Sequence, residues 1–104
     1  MVFGTCARVV AAHEAAFGWT VPPVVTHVYP TLAGGLPCGV RNGGGCYQGP
    51  GNTLSVRGDP RYGIHPWSLF HELLHLRFWV RDGNVDTGHL SPEWRDVDRW
   101  VPTW

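Results

Sequence analysis

Apolar positions along the chain change period several times, and each change marks an element. From 6 to 17, Cys6, Val9, Val10, His13 and Phe17 recur at helical spacing, with Thr5 suited to the N-cap and Gly18 to the left-handed stop after a helix. Trp19-Thr20-Val21-Pro22-Pro23 is too proline-rich to continue it and reads as a rigid connector. Val24 to Tyr29 is β-branched and aromatic, the composition of a strand, and Pro30 ends it. Leu32 to Gly51 is loop-rich, with short strands expected at Cys38–Arg41 and Gly45–Gln48 about an Asn42-Gly43-Gly44 turn. Asn52 to Arg57 alternates, so Leu54 and Val56 share one face of a further strand.

The second half is helical. From Pro66, which suits a first helical turn, Trp67, Phe70, Leu73, Leu74, Phe78 and Trp79 cover most of a helix circumference, so this helix should be buried on several sides. Arg81-Asp82-Gly83-Asn84 ends it. After a short link, Ser91 as N-cap, Pro92 as first residue and Glu93 as a first-turn acid open a closing helix, with Trp94, Val97, Trp100 and Val101 on one side. A helix, a group of strands and two more helices within 104 residues predict one α+β domain spanning 1–104 with a single small core.

Composition narrows the partners. Formal net charge is zero and the basic residues, all arginine, are scattered, so no nucleic-acid footprint is read. No stretch is apolar for long enough to span a membrane. Met1 to Arg8 lacks a basic start followed by an apolar run, so no secretory signal is read and a cytoplasmic protein, taken as a monomer, is expected. The absence of lysine and the abundance of Gly, Ala, Pro, Val and Trp suggest a GC-rich genome, a bacterium or its phage. Of three cysteines, Cys38 and Cys46 flank a glycine-rich turn and can face one another across a hairpin, but a cytosolic setting favours free thiols.

Candidate chemistry centres on His71-Glu72-Leu73-Leu74-His75, inside the long apolar helix. Histidines four apart on a helix project side by side from one face and can grip one metal ion, and the intervening glutamate can reach a water held there. With six histidines in 104 residues, about one shuffled chain in a hundred carries this HExxH pattern by chance, before the helical context is required. The pattern assigns His71 and His75 as zinc ligands and Glu72 as general base. A catalytic zinc site takes a third protein ligand, expected downstream: His89 is preferred as a nitrogen donor in a glycine-containing loop, with Glu93 and Asp86 as alternatives. If His89 is the ligand, Asp86 or Glu93 can orient an imidazole. His13 and Glu14 read as a partly exposed helix face and His27 as an ordinary strand residue. Trp67, Trp79 and Trp94 read as core aromatics.

On the motif and on the order of elements around it, the chain resembles the zincin superfamily of metallopeptidases. The metzincin extension is missing, because Phe78 stands where that pattern has glycine, and the acidic second-helix signature of the gluzincins is imperfect around Glu93. The resemblance is therefore to a minimal zincin of no assigned subclass. It implies an N-terminal helix, a small mixed sheet with an antiparallel edge strand, a central active-site helix and a C-terminal helix. It also implies peptide-bond hydrolysis on a peptide or protein substrate bound by strand addition along 45–57. An oxyanion donor is expected among Tyr62, His65, Tyr47 and Arg77. Two other classes remain: a non-catalytic zinc-stabilised structural or interaction module, which has no use for Glu72, and another zinc hydrolase such as an amidase.

Overall fold

The computed structural model describes residues 4–29, 45–47 and 51–103. Its elements are α1 (Thr5–Phe17), β1 (Val25–Tyr29), β2 (Gly45–Cys46), β3 (Thr53–Arg57), α2 (Pro66–Asp82) and α3 (Trp94–Arg99), an α+β arrangement around one small mixed sheet. The strand expected at Cys38–Arg41 lies outside the described residues.

Helix α1 ends as its sequence indicates, at Gly18 in the left-handed region, whose N–H returns to the Glu14 carbonyl. Its start differs. Gly4, at φ 77°, occupies the N-cap position and Thr5 is already helical. The buried stripe is Thr5, Val9 and His13, while Cys6 is exposed. His13 is therefore a core residue, not the partly exposed one expected. The aromatic connector explains this: Trp19 folds back so that its indole N–H donates to His13 Nδ1 at 2.9 Å. Glu14 accepts from the Val21 amide at 2.8 Å and pins the same turn.

The sheet order is β1-β3-β2, with β3 parallel to β1 and antiparallel to β2. Strand 53–57 is thus central, and among the described residues the edge at this side is β2, not the whole of 45–57. Leu54, Ser55 and Val56 are all buried, so the expected one-sided alternation becomes burial on both faces. Cys46 on β2 is in a disulfide, against the expectation of free thiols, and Cys6 is free. Cys38, the partner expected from the sequence, lies outside the described residues.

Helix α2 runs through the middle and touches α1, α3, β2 and β3. His65 caps its start, Pro66 fills the first turn, and Gly83 at φ 67° closes its end. Leu69, Phe70, Leu73, Leu74, Leu76 and Phe78 are buried around its circumference, as the pattern predicts. Each such side chain contributes on the order of 1.5–3 kcal/mol when removed from water. The closing helix is shorter than expected. Ser91 to Glu93 form a turn in which amides reach back three residues (Trp94 to Ser91 at 3.3 Å, Arg95 to Pro92 at 3.2 Å), and the α-helix begins only at Trp94. Trp94 and Val97 are buried, but the helix ends at an extended Trp100, so Val101 leaves the stripe and is 66 % exposed. Arg77 ties three pieces together, donating to Glu93 Oε2 at 2.6 Å and to the Phe17 carbonyl at 3.2 Å. Among the described residues no helix is long and apolar enough to cross a membrane.

Candidate metal centre

Helical periodicity sets the first half of the site. His71 and His75 leave α2 one turn apart, and their rings meet at 5.1 Å between centroids. The Val85 carbonyl, just beyond the end of α2, lies 2.6 Å from His75 Nδ1. A carbonyl only accepts, so that nitrogen carries the proton and Nε2 keeps its lone pair. Neither Asp86 nor Glu93 performs this orienting task.

The third histidine arrives from the 85–91 loop. Asp86 and His89 are the two described non-glycine residues with positive φ, at 58° and 54°. That local geometry turns the chain back over α2 and brings His89 Nε2 to 3.2 Å from His71 Nε2. Donor atoms of His71, His75 and His89 lie within 4.8 Å of one another, and the three residues form a cluster that could hold a metal ion. The other two candidates are engaged elsewhere. Glu93 faces Arg77 and, at 3.4 Å, Arg81. The Asp86 carboxylate accepts from the amides of Leu90 (3.0 Å) and Ser91 (2.9 Å) and from the Trp94 indole (2.7 Å); burial raises its pKa, and these donors outweigh that and lower it from the ordinary value.

The donor set suits a transition metal. Tetrahedral zinc with nitrogen ligands at roughly 2.0–2.1 Å places those nitrogens about 3.3 Å apart, close to the His71–His89 separation. Burial pushes the His71 pKa down to about 4, with His75 and His89 adding to the effect. Burial also lowers His75, partly offset by the Val85 carbonyl. Both rings are therefore neutral at pH 7, the form in which imidazole offers a lone pair. His89 is exposed, which leaves the cluster open to solvent on that side.

Glu72 sits against this cluster and under the edge strand. Its Oε2 is 3.8 Å from His71 Nε2, and since His71 is neutral this is proximity, not an ion pair. The carboxylate is 4 % exposed, and burial raises its pKa to about 8, opposed by the Tyr47 amide that donates to it. Gly45 leaves the room: a Cβ there would lie 2.9 Å from Glu72 Cγ.

The expected oxyanion donors have partners of their own. Arg77 is committed to Glu93 and Phe17, the Tyr47 hydroxyl donates to the Gly51 carbonyl, and His65 lies between Arg57 (3.0 Å) and Ser68 (2.7 Å). Tyr62 takes part in the turn at Asp59, its amide 3.1 Å from Oδ1. His27 is an exposed strand residue, as read from the sequence.

Two contributors escaped sequence reasoning. The Val85 carbonyl carries no side-chain signal. Trp94 is buried in the core as its sequence indicates, and it is also in ring contact with all three histidines, which no sequence signal announces. In comparisons with protein-family models, curated proteins and solved structures, nothing matches this chain.

Proposed function

We propose that the protein is a minimal zinc metallopeptidase of zincin type, with His71, His75 and His89 as metal ligands and Glu72 as general base. The observation that carries this reading is the buried Glu72 carboxylate 3.8 Å from His71 Nε2, beside three clustered imidazoles. A structural metal site has no use for a desolvated carboxylate at that place, and desolvation costs stability unless the group has work to do.

Zinc held by the three imidazoles would lower the pKa of a coordinated water towards neutrality and polarise a scissile carbonyl. The protein's own part is proton handling and substrate alignment. Glu72 Oε2 takes the proton of the attacking water and returns it to the leaving amine. With its pKa raised to about 8 by burial, Glu72 is largely protonated at pH 7 in the metal-free chain; the positive charge of a bound metal would favour the carboxylate form that accepts the proton, with the Tyr47 amide as its hydrogen-bond donor. Among the described residues β2 lies at the edge of the sheet, where an extended peptide would align by strand addition.

The test is elemental analysis of the purified protein together with hydrolysis of a denatured protein and a peptide library by wild type and Glu72→Gln. We expect one zinc per chain in both proteins and cleavage by wild type only. Stoichiometric zinc without any Glu72-dependent cleavage would leave a zinc-stabilised module and overturn the peptidase. His89→Ala should lose the metal, whereas Glu93→Ala should keep it.

A further inference from the structure

We propose that Trp94 is a positioning residue of the three-histidine centre: its indole is the shared floor beneath the imidazoles, and its N–H fastens that floor to the loop that delivers His89. The inference rests on the metal-binding part of the preceding reading and is independent of whether peptides are cleaved.

The contacts come from one ring. The Trp94 centroid lies 4.7 Å from His71, 4.6 Å from His75 and 4.5 Å from His89, with interplanar angles of 41°, 55° and 58°. Trp67 also meets His71, at 5.0 Å between centroids, but among the described residues it makes no ring contact with His75 or His89. A rigid bicyclic ring pressed on three imidazoles restricts their rotation at once. Leucine is smaller than the indole and has neither its flat surface nor a donor.

The indole is also bonded to the loop. Trp94 Nε1 donates to Asp86 Oδ2 at 2.7 Å, and the same carboxylate accepts from the Leu90 and Ser91 amides, the residues immediately after His89. The His89 amide itself donates to the Asp86 carbonyl at 2.9 Å. Asp86 and His89 both hold left-handed backbone that non-glycine residues adopt only against a cost. Something must hold the loop in that shape, and the Asp86–Trp94 bond ties it to the base of α3. The first two ligands are set by the helix; the third depends on this brace.

Trp94→Phe keeps an aromatic floor and loses the N–H, Asp86→Asn weakens the acceptor, and Trp94→Leu loses both ring and donor. Zinc affinity is measured by chelator competition, and Co2+ titrations are followed by visible absorption and by tryptophan emission. Outer partners of metal ligands set affinity by roughly 10- to 100-fold. We expect about a tenfold loss for Trp94→Phe and for Asp86→Asn, a larger loss for Trp94→Leu, and a double variant no worse than the stronger single one. Co2+ should quench wild-type emission, and most of that quenching should vanish in Trp94→Phe together with a changed Co2+ spectrum. Trp79→Phe, at a partly buried core position that makes no ring contact with the three histidines among the described residues, should keep wild-type affinity and spectrum. Wild-type zinc affinity and Co2+ spectrum in folded Trp94→Phe and Asp86→Asn would overturn this inference alone, even if Trp94→Leu fails to fold. A wild-type protein that binds neither metal would overturn it together with the reading on which it rests.

Discussion

Gly45→Ala should reveal how tightly the candidate base is seated. A methyl group there would stand 2.8 Å from the Ser55 carbonyl oxygen, 2.9 Å from Glu72 Cγ and 3.0 Å from Val56 Cγ1. Carbon atoms in comfortable contact are at least about 3.5 Å apart, so Glu72 and β2 must separate by about 0.6 Å. The Ser55 oxygen belongs to the partner strand and cannot turn away as a side-chain tip can. Overpacking of this kind costs roughly 1–3 kcal/mol, and the lower chain entropy of alanine returns about 0.4–1 kcal/mol. The net loss should be about 1–2 kcal/mol, read by urea unfolding. Displacing a catalytic group by 1 Å costs on the order of a hundredfold in rate, so a shift of about 0.6 Å should lower kcat/KM by roughly tenfold or more. Zinc content should not change, because the atoms nearest the added methyl belong to Ser55, Glu72 and Val56, none of them among the three histidines. Unfolding energy and kcat/KM both equal to wild type would refute the described packing of β2 on Glu72.

Three further outcomes follow from the same contacts. His13 is buried and neutral, with its pKa lowered to about 3 chiefly by burial and secondarily by Arg77. Because the folded value lies below the unfolded one, its contribution is present above about pH 6.5 and is lost as the pH falls towards 3, at most about 5 kcal/mol in all. His13→Phe should therefore remove about one proton from the acid slope of stability in chelator-treated protein, and an unchanged slope would contradict the burial of this ring. Arg77→Met should cost roughly 1–3 kcal/mol in denaturant titrations, because a partly buried guanidinium bonded to Glu93 and the Phe17 carbonyl is lost from the junction of α1, α2 and α3; a loss below about 0.3 kcal/mol would class the pair with ordinary surface ion pairs. Saturating zinc should raise the unfolding free energy, by about 4 kcal/mol at a free concentration a thousand times the Kd, and excess chelator should reverse it; a melting temperature indifferent to both would count against a folded-state metal site.

Most elements were legible because each has a local signal. Glycine in the left-handed region stops α1 and α2, Pro66 opens α2, and β-branched residues mark β1 and β3. The histidine pair was legible because helical spacing alone puts His71 beside His75. His89 was preferred on donor chemistry, and its neighbourhood with the pair depends on a backbone turn at Asp86 that propensity does not announce. Errors came where tertiary partners decided. Trp19 folding back turned His13 from surface to core, and burial of Ser55 between Leu54 and Val56 made β3 a two-faced strand. The start of α3 slipped to Trp94 because Ser91 and Asp86 share the loop bonds that would otherwise cap a helix.

Every group of the candidate site lies between Gly45 and Trp94, and the strand pair nearest to it in space is also near in sequence, Gly45 facing Val56 and Cys46 facing Ser55. β1 instead reaches β3 in parallel across a long separation, Val25 beside Thr53. Pairings close in sequence close small loops and form fast, whereas distant parallel ones are slow. The antiparallel pair and α2 should therefore assemble first, with Glu72 already covered, and β1 should join last, so mutations in β1 would speed unfolding more than they slow the assembly of the site.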